Sequence, residues 1–232
     1  MSGVPGAGVP LEPGAGVPSG AGAGVPLVRG AGVPLPDGVG AGREHAPGDR
    51  LVVLVRHGQA AAGWDGDADP GLSDAGRSQA ERVAAELLDL AGARLVVSPL
   101  RRTRETAEPI GVELGVVPNF DPAVGEVVAP VEHAALESRG AWLRGFMAGG
   151  WAEADAGLLA WRSGVLDALA SLPGDAVVVT HFVAINAAVG AALGDDRVVS
   201  FRPGYCSRTV LRYGEGGVDV LRLGDVADTV VR

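Results

Sequence analysis

Leu51 to Val55 is an unbroken apolar run that stops on Arg56-His57-Gly58, and Ala176 to Val179 is another that stops on Thr180-His181. Short runs without alternation fit strands buried on both faces, as in a parallel sheet. Leu95-Val96-Val97 has the same character, and Val116 to Phe120 suggests a further strand. Between these runs the apolar positions recur at helical spacing. One helix is expected from about Ala75 to Leu90 after the capping pair Ser73-Asp74, and a second carrying Arg101 to Leu114, begun by Ser98 as cap with Pro99 at the first helical position. Helix is also expected around Trp142, Leu143 and Phe146, from about Ala156 to Leu172, and from about Ala184 to Leu193, with residues 121 to 130 irregular. Arg208–Tyr213 and Val218–Leu223 flank Gly214-Glu215-Gly216-Gly217, the pattern of an edge hairpin. Strands alternating with helices predict an α/β fold: a three-layer α/β/α sandwich with a mostly parallel central sheet.

The first 50 residues break this pattern. They hold 14 of the 37 glycines and 8 of the 16 prolines but no aromatic residue, so only the remainder can build a core. Gly-Ala-Gly-Val-Pro begins at Gly6, Gly14, Gly22 and Gly30, with a decayed copy at Gly38. Glycine keeps backbone entropy high, and each Val-Pro disfavours helix at the residue before proline. Residues 1–48 are therefore expected to be a disordered, partly polyproline-like tail, and residues 49–232 the folded domain. No basic start leads into an apolar stretch as in a secretory signal, and no run approaches the length of a membrane span.

Charge narrows the function. All 19 basic residues are arginine, which excludes a Schiff-base lysine and the usual lysine-bearing phosphate loop. Arginine leaves every cationic site with a planar fork suited to phosphate or carboxylate. A net charge of −9 argues against a nucleic-acid surface, so a basic site must be local. Cys206 is the single cysteine, without a Cys or His neighbour at metal-ligand spacing; it reads as a buried structural thiol in a reducing, cytoplasmic setting.

In an α/β sheet, ligands gather at the carboxyl ends of parallel strands, where His57 and His181 are delivered. An adjacent arginine lowers the proton affinity of His57, favouring the neutral, nucleophilic imidazole. Arg101, Arg102 and Arg104 crowd a helix start, where the dipole disfavours cations, and a bound phosphate would relieve that conflict. His133 and His45 are expected to be solvated. The spacings carry no zinc motif, and no Gly-x-Ser-x-Gly elbow occurs, so metal and serine-hydrolase chemistry are not favoured.

These residues resemble the histidine phosphatase superfamily, the phosphoglycerate-mutase-like fold. The likeness rests on four segments in the family's order: Val55-Arg56-His57-Gly58-Gln59, Leu72 to Ala80, Val97-Ser98-Pro99-Leu100-Arg101-Arg102 through Ala107, and Val178-Val179-Thr180-His181. The resemblance implies a nucleophilic His57 that becomes a phosphohistidine, with Arg56, Arg102 and His181 around the transferred group and Gly58 and Gln59 beside it. Such cationic groups can neutralise and align a phosphoryl group without a metal or cofactor. The family places an acid after its third strand; Glu126 matches, with Glu132 and Asp121 as competitors, and it would need a raised pKa or transient protonation to act as general acid.

Gln59 stands where the family often has glutamate, and Phe182 where it often has glycine; Phe182 is expected to pack rather than narrow the pocket. Only 54 residues separate Glu126 from His181, fewer than in the cofactor-dependent mutases, which favours a phosphatase. Arg139, Trp142, Arg144 and Trp151 are candidate lid residues, Arg139 and Trp142 being the substrate-binding choices. The expected activity is hydrolysis of a small-molecule phosphate ester. A protein phosphohistidine phosphatase and a non-catalytic phospho-ligand-binding protein are the alternatives.

Overall fold

The computed structural model describes residues 48–63, 66–133 and 135–226. The repeats expected to be disordered, and His45, lie outside the described residues. Six strands form one mixed sheet in the order β3-β2-β4-β1-β5-β6. They are β1 (Arg50–Arg56), β2 (Arg94–Val97), β3 (Asn119–Phe120), β4 (Ala176–Thr180), β5 (Arg208–Gly214) and β6 (Gly217–Arg222). β1 to β4 run parallel, while β5 pairs antiparallel with β1 and β6. This is the expected mostly parallel sheet with its edge hairpin.

The unbroken apolar runs become central strands because both faces are covered. Val52 and Leu54 of β1 point to one face, against Val165 and Leu169 of α4 (Ala156–Ala170) and Ile185 and Val189 of α5 (Phe182–Leu193). Val53 and Val55 point to the other, against Val83 of α1 (Asp74–Ala85) and Ala107, Ile110 and Leu114 of α2 (Arg101–Leu114). The period-two alternation of a strand thus feeds two separate cores. A third cluster joins α3 (Leu136–Met147) to the body through Leu143, Trp151, Leu158, Phe182 and Val183.

Register positions the site. Arg56 pairs with Thr180, Val97 pairs with Val179, and the Ser98 N–H donates to the Val179 carbonyl at 3.1 Å. Three adjacent parallel strands therefore end at one level and deliver His57, His181 and Ser98 side by side.

Several element boundaries differ from the sequence expectation. Ser73 caps α1 as expected, its hydroxyl accepting from the Gly76 N–H, but the helix ends at Ala85 and continues as a 3-10 turn at Leu88–Leu90. α2 does not start at Ser98: its cap position is Leu100, and the Arg101 N–H donates instead to the Asp69 carboxylate at 2.8 Å. The Ser98 hydroxyl is committed elsewhere, to His181. β3 keeps only Asn119 and Phe120, since Pro118 before them has no N–H to offer a ladder. α5 begins directly after His181 rather than at Ala184. Among the described residues, no helix is long and apolar enough to cross a membrane.

Candidate active site

His57 leaves β1 with its ring buried and Nδ1 2.8 Å from the Gly58 carbonyl. A carbonyl oxygen only accepts, so Nδ1 carries the proton and Nε2 keeps its lone pair. The Gly58 N–H donates to the Thr106 hydroxyl at 3.0 Å, and that hydroxyl donates to the Arg102 carbonyl at 2.7 Å. Thr106 thereby ties the His57 loop to the helix that carries Arg102. A Cβ on Gly58 would lie 2.6 Å from the Gly76 carbonyl, so this glycine allows the loop to sit on the start of α1. Gln59 is exposed and acts through its backbone: its N–H donates to Gln79 at 2.8 Å and its carbonyl accepts from Ser73. Neither Gly58 nor Gln59 lines the cavity over His57.

The Arg56 guanidinium is buried, donates to the Pro203 carbonyl at 2.9 Å and lies 4.1 Å from the centre of the Tyr205 ring. Arg102 is the only member of the arginine trio in the site. Its Nη2 is 3.4 Å from Glu126 Oε2 and 3.4 Å from His181 Nδ1. Arg101 is turned to Glu105 at 2.7 Å, and Arg104 is exposed. His181 is fully buried, with Nε2 2.7 Å from the Ser98 hydroxyl and Nδ1 3.3 Å from Glu126 Oε2. The carboxylate accepts only and is the nearer partner of Nδ1, which places the proton on Nδ1 and leaves Nε2 to accept from Ser98. The two histidine rings stand 5.3 Å apart, centre to centre.

Electrostatics favours neutral imidazoles. Burial is the largest influence on His57 and drives its pKa well below the ordinary 6.5, helped by His181, Arg102 and Arg56. The neighbouring arginine therefore acts in the expected direction but is not the main cause. Burial also lowers the pKa of His181, against the opposing pull of Glu126. For Glu126, burial pushes upward, yet His181 and Arg102 outweigh it and hold the carboxyl below its ordinary value. This is opposite to the raised pKa that a standing general acid would need. Of its competitors, Asp121 caps the short helix Pro122–Val124 and Glu132 is exposed.

A cavity of about 50 Å³ lies over His57, walled by Arg56, Arg102, Glu126, Arg139 and Tyr205. Arg139, Leu143 and Met147 line it from α3, four residues apart and so on one helix face. Trp142 does not line it: the indole stacks on Phe146 at 5.4 Å and on His133 at 6.5 Å. His133 accordingly has an aromatic partner rather than water alone. Arg144 is exposed and Trp151 belongs to the third core cluster. Phe182 both packs in that cluster and lines the cavity. Cys206 is half-buried, adopts a positive φ of 55° and has its thiol pushed up to about 12 by burial.

Asp67 and Tyr205 line the cavity and Ser98 holds His181, and none of the three is a sequence candidate for the site. Tyr205 lies in a Pro-Gly turn without any motif, and only the return of the chain past β1 brings it over Arg56. The structure also gathers ligand-type atoms of His57, Glu126 and His181 within 4.8 Å of one another, a grouping that sequence spacing does not reveal. With Arg102 against two of the three and Arg56 beside the third, the positive charge at this point is already supplied by guanidinium groups, and the cluster is arranged for an anion.

Residues 52–226 match the family model of the histidine phosphatase superfamily (branch 1). The chain belongs to that superfamily. A relative from Erwinia tasmaniensis, named "Probable phosphoglycerate mutase GpmB", is 31% identical over 160 residues, which are 62% of this chain and 74% of that one. A mycobacterial glucosyl-3-phosphoglycerate phosphatase solved with VO3 is 27% identical, with a TM-score of 0.55 over 75% of this chain and 99% of that one. YhfR of Bacillus stearothermophilus shares the fold at 23% identity, with a TM-score of 0.61 over 77% of this chain and 98% of its own.

Proposed function

We propose that this histidine phosphatase superfamily member is a metal-independent phosphoric monoester hydrolase of the histidine acid phosphatase type, acting on a small phosphorylated metabolite through a phosphohistidine at His57. The observation that carries the reading is the fixed tautomer of His57, whose free Nε2 accompanies two guanidinium groups and a second neutral histidine around a phosphoryl-sized cavity.

His57 Nε2 attacks phosphorus in line while the bond to the ester oxygen breaks, and Arg56, Arg102 and His181 share the charge on the equatorial oxygens. The departing alkoxide takes a proton from Glu126. Water then gives its proton to Glu126 and attacks phosphorus, the P–N bond breaks, and phosphate leaves with His57 restored. A carboxyl below its ordinary pKa is protonated only transiently in the empty site, but a phosphate dianion beside it raises that pKa by like-charge repulsion.

The test is His57→Ala. It should abolish hydrolysis of an aryl phosphate, and alkali-quenched wild type should carry a phosphoryl group on His57, while a chelator leaves turnover unaffected. Full activity in the variant refutes the assignment. Phosphoglycerate mutase activity is the second reading, favoured by the name of the 31% identical relative. Interconversion of 2- and 3-phosphoglycerate without release of phosphate would support it instead.

A further inference from the structure

The cavity over His57 is small, about 50 Å³. A second cavity of about 350 Å³ adjoins it, and Ala68, Glu126 and Arg139 line both. Beyond that shared wall the second cavity is apolar, formed by Pro99, Leu100, Pro122, Val127, Val128 and Ala129. Val128 at this wall is 74% exposed, an apolar side chain left open to whatever enters.

We propose that the second cavity receives the leaving group, and that the substrates are phosphate monoesters of apolar alcohols, aliphatic or aromatic, rather than of sugars or hydroxy acids. The inference rests on the phosphatase reading above. Three features converge on it. With phosphorus at His57 the alcohol of the ester needs room beyond the small catalytic cavity, and the larger second cavity adjoins it. Glu126 lies on the boundary, where the bridging oxygen must sit if phosphorus is at His57 and the alcohol beyond, so the proton is delivered at the junction. Among the described residues the far walls offer no polar side chain except Ser98, whose hydroxyl is already bonded to His181. A polyol there meets few polar side chains that could replace its water, whereas apolar groups gain from burial.

The test is a homologous series, ethyl, butyl and hexyl phosphate, in which the leaving-group pKa is nearly constant and only apolar area changes. With the full chain, kcat/KM should rise roughly two- to fourfold per added methylene, and Val128→Asp should at least halve that increment on a logarithmic scale. A flat series, or a larger kcat/KM on glycerol 3-phosphate or 3-phosphoglycerate than on hexyl phosphate, overturns the leaving-group assignment. If those esters are still hydrolysed by wild type and not by His57→Ala, the phosphatase reading stands without it. Absence of hydrolysis of every ester overturns both.

Discussion

Replacing Gly76 by alanine should damage both stability and the site. An added Cβ would lie 2.1 Å from the Gln59 carbonyl oxygen and 3.0 Å from both the carbon and the nitrogen of Gln59. These neighbours are backbone, so no flexible side chain can yield; the Gln59 carbonyl must retreat by about 1 Å, a displacement that strains the packed loop. That carbonyl accepts from the Ser73 N–H at 2.9 Å and the Ser73 hydroxyl at 3.2 Å, and Ser73 caps α1. Overpacking of about 1–3 kcal/mol plus one or two weakened hydrogen bonds of about 1 kcal/mol each gives a loss of about 3 kcal/mol. For a domain of this size, that lowers Tm by about 6–12 °C. Gln59 is two residues from His57, and a misplacement of about 1 Å at a reacting group can cost on the order of 10²-fold in rate. Thermal unfolding followed by circular dichroism, with kcat/KM measured well below the lowered Tm, reads both effects. Gly145→Ala is the control: its Cβ meets nothing within 4 Å and lies inside α3, so it should raise Tm slightly through helix propensity. A Gly76→Ala protein that melts within 2 °C of wild type would refute the steric argument.

Ser98→Ala removes the only polar partner, among the described residues, of a fully buried ring nitrogen, His181 Nε2, at 2.7 Å. The unpaired nitrogen costs about 1–3 kcal/mol, and kcat should fall about tenfold with KM little changed; a kcat within twofold of wild type removes Ser98 from the positioning of His181. The pH dependence of stability follows from the two lowered histidine pKa values. Between those folded-state values and the ordinary 6.5, the unfolded chain binds protons that the folded chain does not, so stability is complete above about pH 6.5 and falls as pH drops below it. The slope is about 1.4 kcal/mol per pH unit for each histidine. Urea unfolding at pH 7.5 and 5.5 should reveal this loss, and His57→Asn should reduce it; an equal slope in the variant contradicts the burial argument.

The legible parts of this protein are those determined by local pattern. β1 and β4 announce themselves because strands covered on both faces need apolar residues at every position, and the histidines stand out because those runs end on them. Arg102 is separable from Arg101 and Arg104 only through the family resemblance, since helix-start arginines look alike until one is turned inward. What escaped sequence reasoning depends on distant segments. The cap of α2 comes from Asp69, 32 residues earlier, which frees Ser98 for His181. Tyr205 covers Arg56 from the connection into β5, and Trp142 faces Phe146 and His133 instead of the cavity because its neighbours on α3, Arg139, Leu143 and Met147, already form that wall.

The direction of the Glu126 pKa is the most instructive departure, because it changes how the site must work. In the empty site the Glu126 carboxylate stands 3.4 Å from the Arg102 guanidinium and 3.3 Å from the neutral His181, occupying hydrogen-bond donors that the proposed reaction needs for phosphate. An incoming phosphoryl group therefore competes with Glu126 for Arg102. As the guanidinium turns to the ligand, the carboxylate loses the contact that lowered its pKa and gains a neighbouring anion, while its burial persists. Both changes, with burial unchanged, favour the protonated form. Substrate binding would thus create the general acid that the empty site lacks, and loss of phosphate would return Glu126 to Arg102. Placing the carboxyl at the boundary between the phosphoryl cavity and the apolar cavity puts that newly acquired proton where an alkoxide forms.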